Sequence, residues 1–141
     1  MSDPTGAVPT AGVTDSPIGG WQLIEASAGT GKTFQLQTLY LRLILLEGFT
    51  IDRILVVTFT EAATAELRQR LRAVLADALA VLSGQVPEKP LPPDRLAMLT
   101  APLTGPARAE SAIVEGHRRL QEALQSFDQA AIFTIHGFCA R

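Results

Sequence analysis

Aromatic residues are scarce in this chain: six Phe, one Tyr and one Trp make up 6% of its 141 residues. Cysteine is scarcer still, with Cys139 alone. A single cysteine excludes an internal disulfide framework, and a reducing, cytoplasmic location fits. Neither sign of charge dominates, because 12 Lys and Arg stand against 14 Asp and Glu for a net charge of −2. Nucleic-acid binders often carry a bulk basic charge, so any grip on a polyanion here needs a local surface. Long apolar runs are also missing. The most apolar region, residues 36–59, is broken by Arg42, Glu47, Asp52 and Arg53, short of the ~18 apolar residues of a membrane span. Residues 1–19 lack the basic run and apolar stretch of a secretory signal. These absences predict a soluble protein with no membrane partner.

What is present suffices for a core. Hydrophobic residues reach 47%, which argues against wholesale disorder, and the length suits about one domain. Residues 1–20, rich in Pro, Gly, Thr and Ser, read as a flexible leader. The ordered domain is expected over 21–141.

Residues 21–26 (WQLIEA) read as a strand, followed by a Gly-containing turn. Phe34, Leu36, Leu39, Tyr40, Leu43 and Leu46 recur near the helical period and predict a buried helix over 32–47, stopped by Gly48. The run 54–57 (ILVV) predicts a parallel strand covered on both faces. Thr60 is placed to cap a helix running to about Leu82, with Glu61 in its first turn and Leu67, Leu71, Val74, Leu75 and Leu82 inward. The proline-rich stretch 83–105 reads as loop, with a short helix near 94–99. A helix over 107–125 and a strand over 130–133 complete the order. Strands alternating with helices predict an α/β fold with a parallel sheet flanked by helices, where ligands bind beyond the carboxyl ends of the strands.

Three motifs begin at predicted strand ends. Ala26, Ser27, Ala28, Gly29, Thr30, Gly31, Lys32 and Thr33 match a phosphate-binding P-loop (Walker A motif), except that Ala26 replaces the first glycine. Gly29 and Gly31 permit a tight turn with inward N–H groups, and the following helix start adds an anion site. Lys32 would reach the β- and γ-phosphates of ATP, and Thr33 would offer its hydroxyl to Mg²⁺. The second block, residues 56–67, puts Thr58, Phe59 and Thr60 at a strand end beside a helix N-terminus. That set can hold a phosphate and stack a base; alone it reads rather as a helix cap at Thr60 with Phe59 in the core. The third block, residues 133–139, holds Thr134, His136 and Gly137. Alone, His136 reads as a buried histidine and Cys139 as a small packed residue.

Taken together, residues 23–34, 54–71 and 130–139 resemble the N-terminal helicase part of RecB-type subunits of exodeoxyribonuclease V, and more broadly the UvrD/Rep-type superfamily 1 helicases. Alanine is common in that family where Ala26 sits. The resemblance covers roughly residues 21–141 and implies an incomplete P-loop NTPase (RecA-like) domain. It implies that residues 26–33 bind MgATP, with Lys32 and Thr33 catalytic and Thr33 on the metal. Thr58, Phe59 and Thr60 correspond to motif Ia, and Thr134, Ile135, His136 and Gly137 to motif Ic; both motifs contact single-stranded DNA. The activity implied is ATP-driven 3′–5′ translocation coupled to unwinding, in double-strand break repair and recombination, with RecC- and RecD-like subunits and an exonuclease function in the parent complex.

Hydrolysis also needs an acidic residue for Mg²⁺ and water, and arginines against developing charge. No apolar strand ends in an Asp-Glu pair, and Asp128 precedes a strand. The expectation is therefore a piece that binds nucleotide weakly and does not unwind DNA alone. Another P-loop enzyme, such as a kinase, and a non-catalytic nucleotide-binding module remain as alternatives. Arg68, Arg70, Arg72 and the His117–Arg119 run read as ordinary surface charge.

Overall fold

The computed structural model describes residues 19, 30–87, 89, 91–92 and 109–140. The expected leader, the strand over 21–26 and the short helix near 94–99 lie outside the described residues. The elements are α1 (Thr30–Leu45), β1 (Leu55–Thr58), α2 (Glu61–Leu82), α3 (Ala109–Gln125), β2 (Ala131–Thr134) and α4 (Ile135–Cys139). Among the described residues no helix is long and apolar enough to cross a membrane.

Each strand is entered through one 3-10 turn, Ile51–Arg53 before β1 and Phe127–Gln129 before β2. Those turns shift both strands one residue beyond the sequence expectation. The Ile54 N–H closes the first turn on the Ile51 carbonyl at 3.3 Å, and the Ala130 N–H closes the second on Phe127 at 3.0 Å. As a result Thr58 and Thr134 are the last residues of their strands. β1 and β2 pair in parallel, with Leu55, Val56, Val57 and Thr58 opposite Ala131, Ile132, Phe133 and Thr134.

α1 starts two residues earlier than expected and stops two earlier. Its end is built from Phe49 N–H bonding back to the Leu43 carbonyl at 2.9 Å, with Gly48 at φ +74°. This is the left-handed helix stop that favours glycine. A Cβ on Gly48 would also sit 3.2 Å from a guanidinium nitrogen of Arg119. That arginine donates to the Leu45 carbonyl at 2.8 Å, filling an acceptor that the helix end leaves open. Arg119 is thus a structural clamp between α3 and α1, contrary to its reading as plain surface charge. Its neighbour Arg118 bonds Glu115 and Glu122, each at 2.6 Å. The Arg118 hydrogen bonds hold the exposed Glu115 carboxyl down at about 2.

α2 begins where the sequence placed it. Thr60 accepts the Ala63 N–H at 3.0 Å, the N-cap bond that commits the chain to helix. Leu67, Leu71, Val74, Leu75 and Ala78 form its buried stripe, at the helical spacing of an amphipathic face; Leu82 packs on the core half-buried. They meet Leu41 and Ile44 of α1, Leu120 and Ala123 of α3, and Val56 and Ile132 of the strands.

The sheet corrects one expectation. Val56 is buried, whereas Leu55 is 49% and Val57 41% exposed. Among the described residues the helices cover only the Val56–Ile132 face, so β1 alternates like a half-covered strand.

Tyr40 is the polar anomaly of the core. It is 2% exposed, and among the described residues its hydroxyl finds no partner; burial pushes its pKa up to about 12. An unmet buried hydroxyl costs ~1–3 kcal/mol. Tyr40→Phe is accordingly expected to hold or raise stability by about 1 kcal/mol in urea unfolding. A loss larger than that would reveal a partner for the hydroxyl.

Candidate nucleotide and nucleic-acid site

Ala26, Ser27, Ala28 and Gly29 lie outside the described residues. Thr30, Gly31, Lys32 and Thr33 form the first turn of α1. The helix therefore begins inside the P-loop motif, and these residues supply first-turn N–H groups that the helix itself leaves unbonded. Such a set, with a lysine and a threonine hydroxyl in it, fits a polyphosphate carrying a divalent ion. Among the described residues no cluster of His, Cys, Asp or Glu would hold a metal by itself. A magnesium ion at this place would rest on the Thr33 hydroxyl and phosphate oxygens.

Thr33 and Leu36 face a cavity of about 200 Å³ that they share with Thr58, Glu66 and Arg70. One turn further along α1, the Gln37 amide donates to the Arg70 carbonyl at 3.2 Å. Helix α1 thus bonds to α2 just beyond the second block.

The register of the sheet sets Thr58 opposite Thr134, which brings the second and third motifs side by side at the carboxyl end of the strands. Phe59 is 89% exposed, which rules out its reading as core. Thr60 is exposed as well as being the N-cap of α2. Thr134 caps α4 by accepting the Gly137 N–H at 2.9 Å. A Cβ at position 137 would lie 2.9 Å from the same hydroxyl, so a side chain there would push the capping hydroxyl aside. His136 is exposed, as is Cys139; the expectations of a buried histidine and a packed cysteine are both corrected. Each sits on the short α4, which turns them away from the core. The rings of Phe133 and Phe138 stack at 6.5 Å between centroids.

Sequence reasoning passed over three residues of α2 that hold these loops. Thr64, 8% exposed, donates to the Thr60 carbonyl at 3.0 Å and contacts the Thr58 hydroxyl. Glu61 accepts from the Thr134 hydroxyl at 3.3 Å. Arg68 donates to the Ile132 carbonyl at 3.0 Å. Their signal was the spacing 61, 64, 68, which falls on one helix face. Arg72 lies 5.7 Å over the Phe127 ring, in cation–π range. Arg70 pairs with Glu66 at 2.6 Å. These arginines therefore have packing and bonding roles beyond bare surface charge. Between α2 and β2 runs an open cleft of about 780 Å³, lined by Thr64, Arg68, Arg72, Phe127, Phe133 and Thr134 among others.

Comparison with known proteins agrees with this arrangement. The model of the UvrD/REP helicase N-terminal domain matches residues 11–141. The RecBCD enzyme subunit RecB of Escherichia coli K12 is 41% identical over 133 residues, 89% of this chain and 10% of that protein. The RecB subunit of Haemophilus influenzae Rd is 41% identical over 132 residues, 89% of this chain and 11% of that protein. The RecB subunit of Mycobacterium tuberculosis H37Rv is 39% identical over 117 residues, 83% of this chain and 10% of that protein. The chain thus spans about a tenth of the length of these relatives. Two loops locked together at one sheet edge, a phosphate-loop helix beside them and a family match over nearly the whole chain make this protein a member of the UvrD/REP helicase N-terminal domain family, of the RecB-like kind.

Proposed function

We propose that this chain is the nucleotide- and DNA-contacting front of an ATP-driven 3′–5′ helicase motor acting in double-strand break repair and recombination. Residues 26–33 hold MgATP, with Lys32 on the terminal phosphates and Thr33 on the metal. When bound, the nucleotide supplies the free energy that drives translocation. Phe59 stacks on a base of the single strand, and the loops at Thr58–Thr60 and Thr134–Gly137 carry its backbone. The observation that carries this reading is the pairing of Thr58 with Thr134, which sets both loops side by side with Phe59 89% exposed. A ring so exposed loses little by turning to a base, and one base–aromatic stack is worth ~1–3 kcal/mol.

The acid that activates water in such a motor is proposed to lie outside the two described strands, both of which end in threonine. RecC- and RecD-like subunits are the partners of that assembly, and its place of action is the cytoplasm.

Fluorescence anisotropy with labelled oligo-dT tests the reading. Phe59→Ala is expected to weaken binding roughly tenfold while far-UV circular dichroism stays unchanged. Equal affinity of the two proteins would reject Phe59 as a base platform, and no binding by either would reject the strand-contact reading.

A further inference from the structure

Among the described residues β2 has one strand beside it, β1. Its other edge borders the cleft of about 780 Å³, which Ile132, Phe133 and Thr134 line from the strand side. A strand edge carries a row of N–H and C=O groups that invite pairing with another chain. In a parallel pair, alternate residues of a strand turn both backbone groups to the partner, and the residues between turn theirs away. Ile132 belongs to the second set. Its N–H bends back to the Ala130 carbonyl at 3.0 Å instead of reaching β1. Its carbonyl accepts from the Arg68 guanidinium at 3.0 Å. Both polar groups at the centre of that edge are therefore used inside the chain.

The donor to Ile132 comes from a helix, which is unusual company for a strand carbonyl. A strand laid beside β2 would run ~4.8 Å away and set an N–H nitrogen ~2.9 Å from the Ile132 oxygen. A guanidinium nitrogen already holds that place. It is charged and half-buried, and charge at a strand edge opposes a second backbone. The helix keeps it there, because one turn further along α2 the Arg72 guanidinium rests on the Phe127 ring, in the turn that feeds β2. We propose that Arg68 is an edge guard, whose guanidinium closes the outer edge of β2 against strand addition by a second copy of this chain. The role is independent of nucleotide and of DNA. Without the guard, two copies can lie edge to edge about a twofold axis at Ile132, each Ile132 N–H donating to the other's carbonyl as in an antiparallel pair.

Sedimentation equilibrium of Arg68→Met tests the guard, since methionine keeps an unbranched apolar stem and removes the donor and the charge. The parent chain is expected to sediment with the mass of one copy at every concentration. Arg68→Lys, which keeps a charged donor, is expected to do the same. Arg68→Met is expected to approach twice that mass as its concentration rises across ~10–1,000 μM, the range of a pairing made by few bonds. Amide exchange read residue by residue is expected to slow at Ile132 as the dimer forms. Far-UV circular dichroism accompanies each variant. Three results overturn the proposal at once: a methionine variant that keeps the parent's spectrum and stays single, a parent or lysine variant that pairs as strongly as it does, and a dimer that leaves exchange at Ile132 unchanged. A methionine variant that loses the parent's spectrum overturns it too, because Arg68 would then hold the fold rather than the edge.

Discussion

Lys32→Ala is expected to lower DNA-stimulated ATP turnover by 10²–10³-fold in a polypeptide carrying the whole motor, the usual scale for removing one preorganised electrostatic contact. Lys32 lies in the first turn of α1, where the backbone offers only N–H donors and partial charge. In the proposed role the lysine would add a full positive charge against the negative charge that gathers during transfer of the terminal phosphoryl group. Lys32→Arg is expected to rescue poorly, because a planar fork does not replace a compact ammonium in a tight turn. A coupled assay with saturating single-stranded DNA reads the result, and turnover of the alanine variant within twofold of the parent would remove Lys32 from the site. In the 141-residue chain alone little or no turnover is expected. Turnover there that Lys32→Ala abolishes would show that the chain already holds what hydrolysis needs.

Leu71→Ala is expected to destabilise the fold by about 3 kcal/mol, from the 2–5 kcal/mol range for emptying a core site. Leu71 is fully buried on the middle of α2, the helix that packs against α1, α3 and both strands. Four elements surround it, and the Arg119 bond to Leu45 holds two of them, α3 and α1, against moving in to refill the space. Against a total of ~5–15 kcal/mol for a domain, such a loss leaves a marginal protein. Leu55→Ala is the control: at 49% exposure its truncation removes little burial and is expected to cost under ~1 kcal/mol. Urea unfolding compares the two through their midpoints at equal slope. Equal costs at the two positions would contradict the packing described.

Neither prediction is equally visible in the chain itself. The stripe at 67, 71, 74, 75 follows from helical period alone, and so does the cap at Thr60; both are local patterns that the structure repeats. Helix α1 was legible for the same reason, although its ends moved, because helix ends depend on what bonds the last free groups. Here the stop includes Arg119, 74 residues away in sequence, which no local pattern reports.

The strand ends moved by one residue for a similar reason, since 3-10 turns at Ile51–Arg53 and Phe127–Gln129 use the N–H groups of Ile54 and Ala130. That small shift matters at the site, because it makes Thr58 and Thr134 paired strand termini. Phe59 and His136 illustrate a different limit. An aromatic or an imidazole among apolar neighbours reads as core when only composition is weighed, yet Phe59 projects from a bend and His136 from the short α4, and both are exposed. Leu55 and Val57 fail in the opposite sense. Their β-type run predicted cover on both faces, and the described helices supply it on one.

By itself, the sequence determined the helical stripes, the cap of α2 and the order of elements from α1 to β2, because each is written in residues a few positions apart. The tertiary structure alone decided that Thr58 and Thr134 face each other, and that Glu61, Thr64 and Arg68 hold the loops around them. Those facts depend on where a hydroxyl finds its acceptor, and the acceptor for Thr134 lies 73 residues away on another element. A hydrogen bond is short and directional, so only the packed chain fixes which partner each polar group takes.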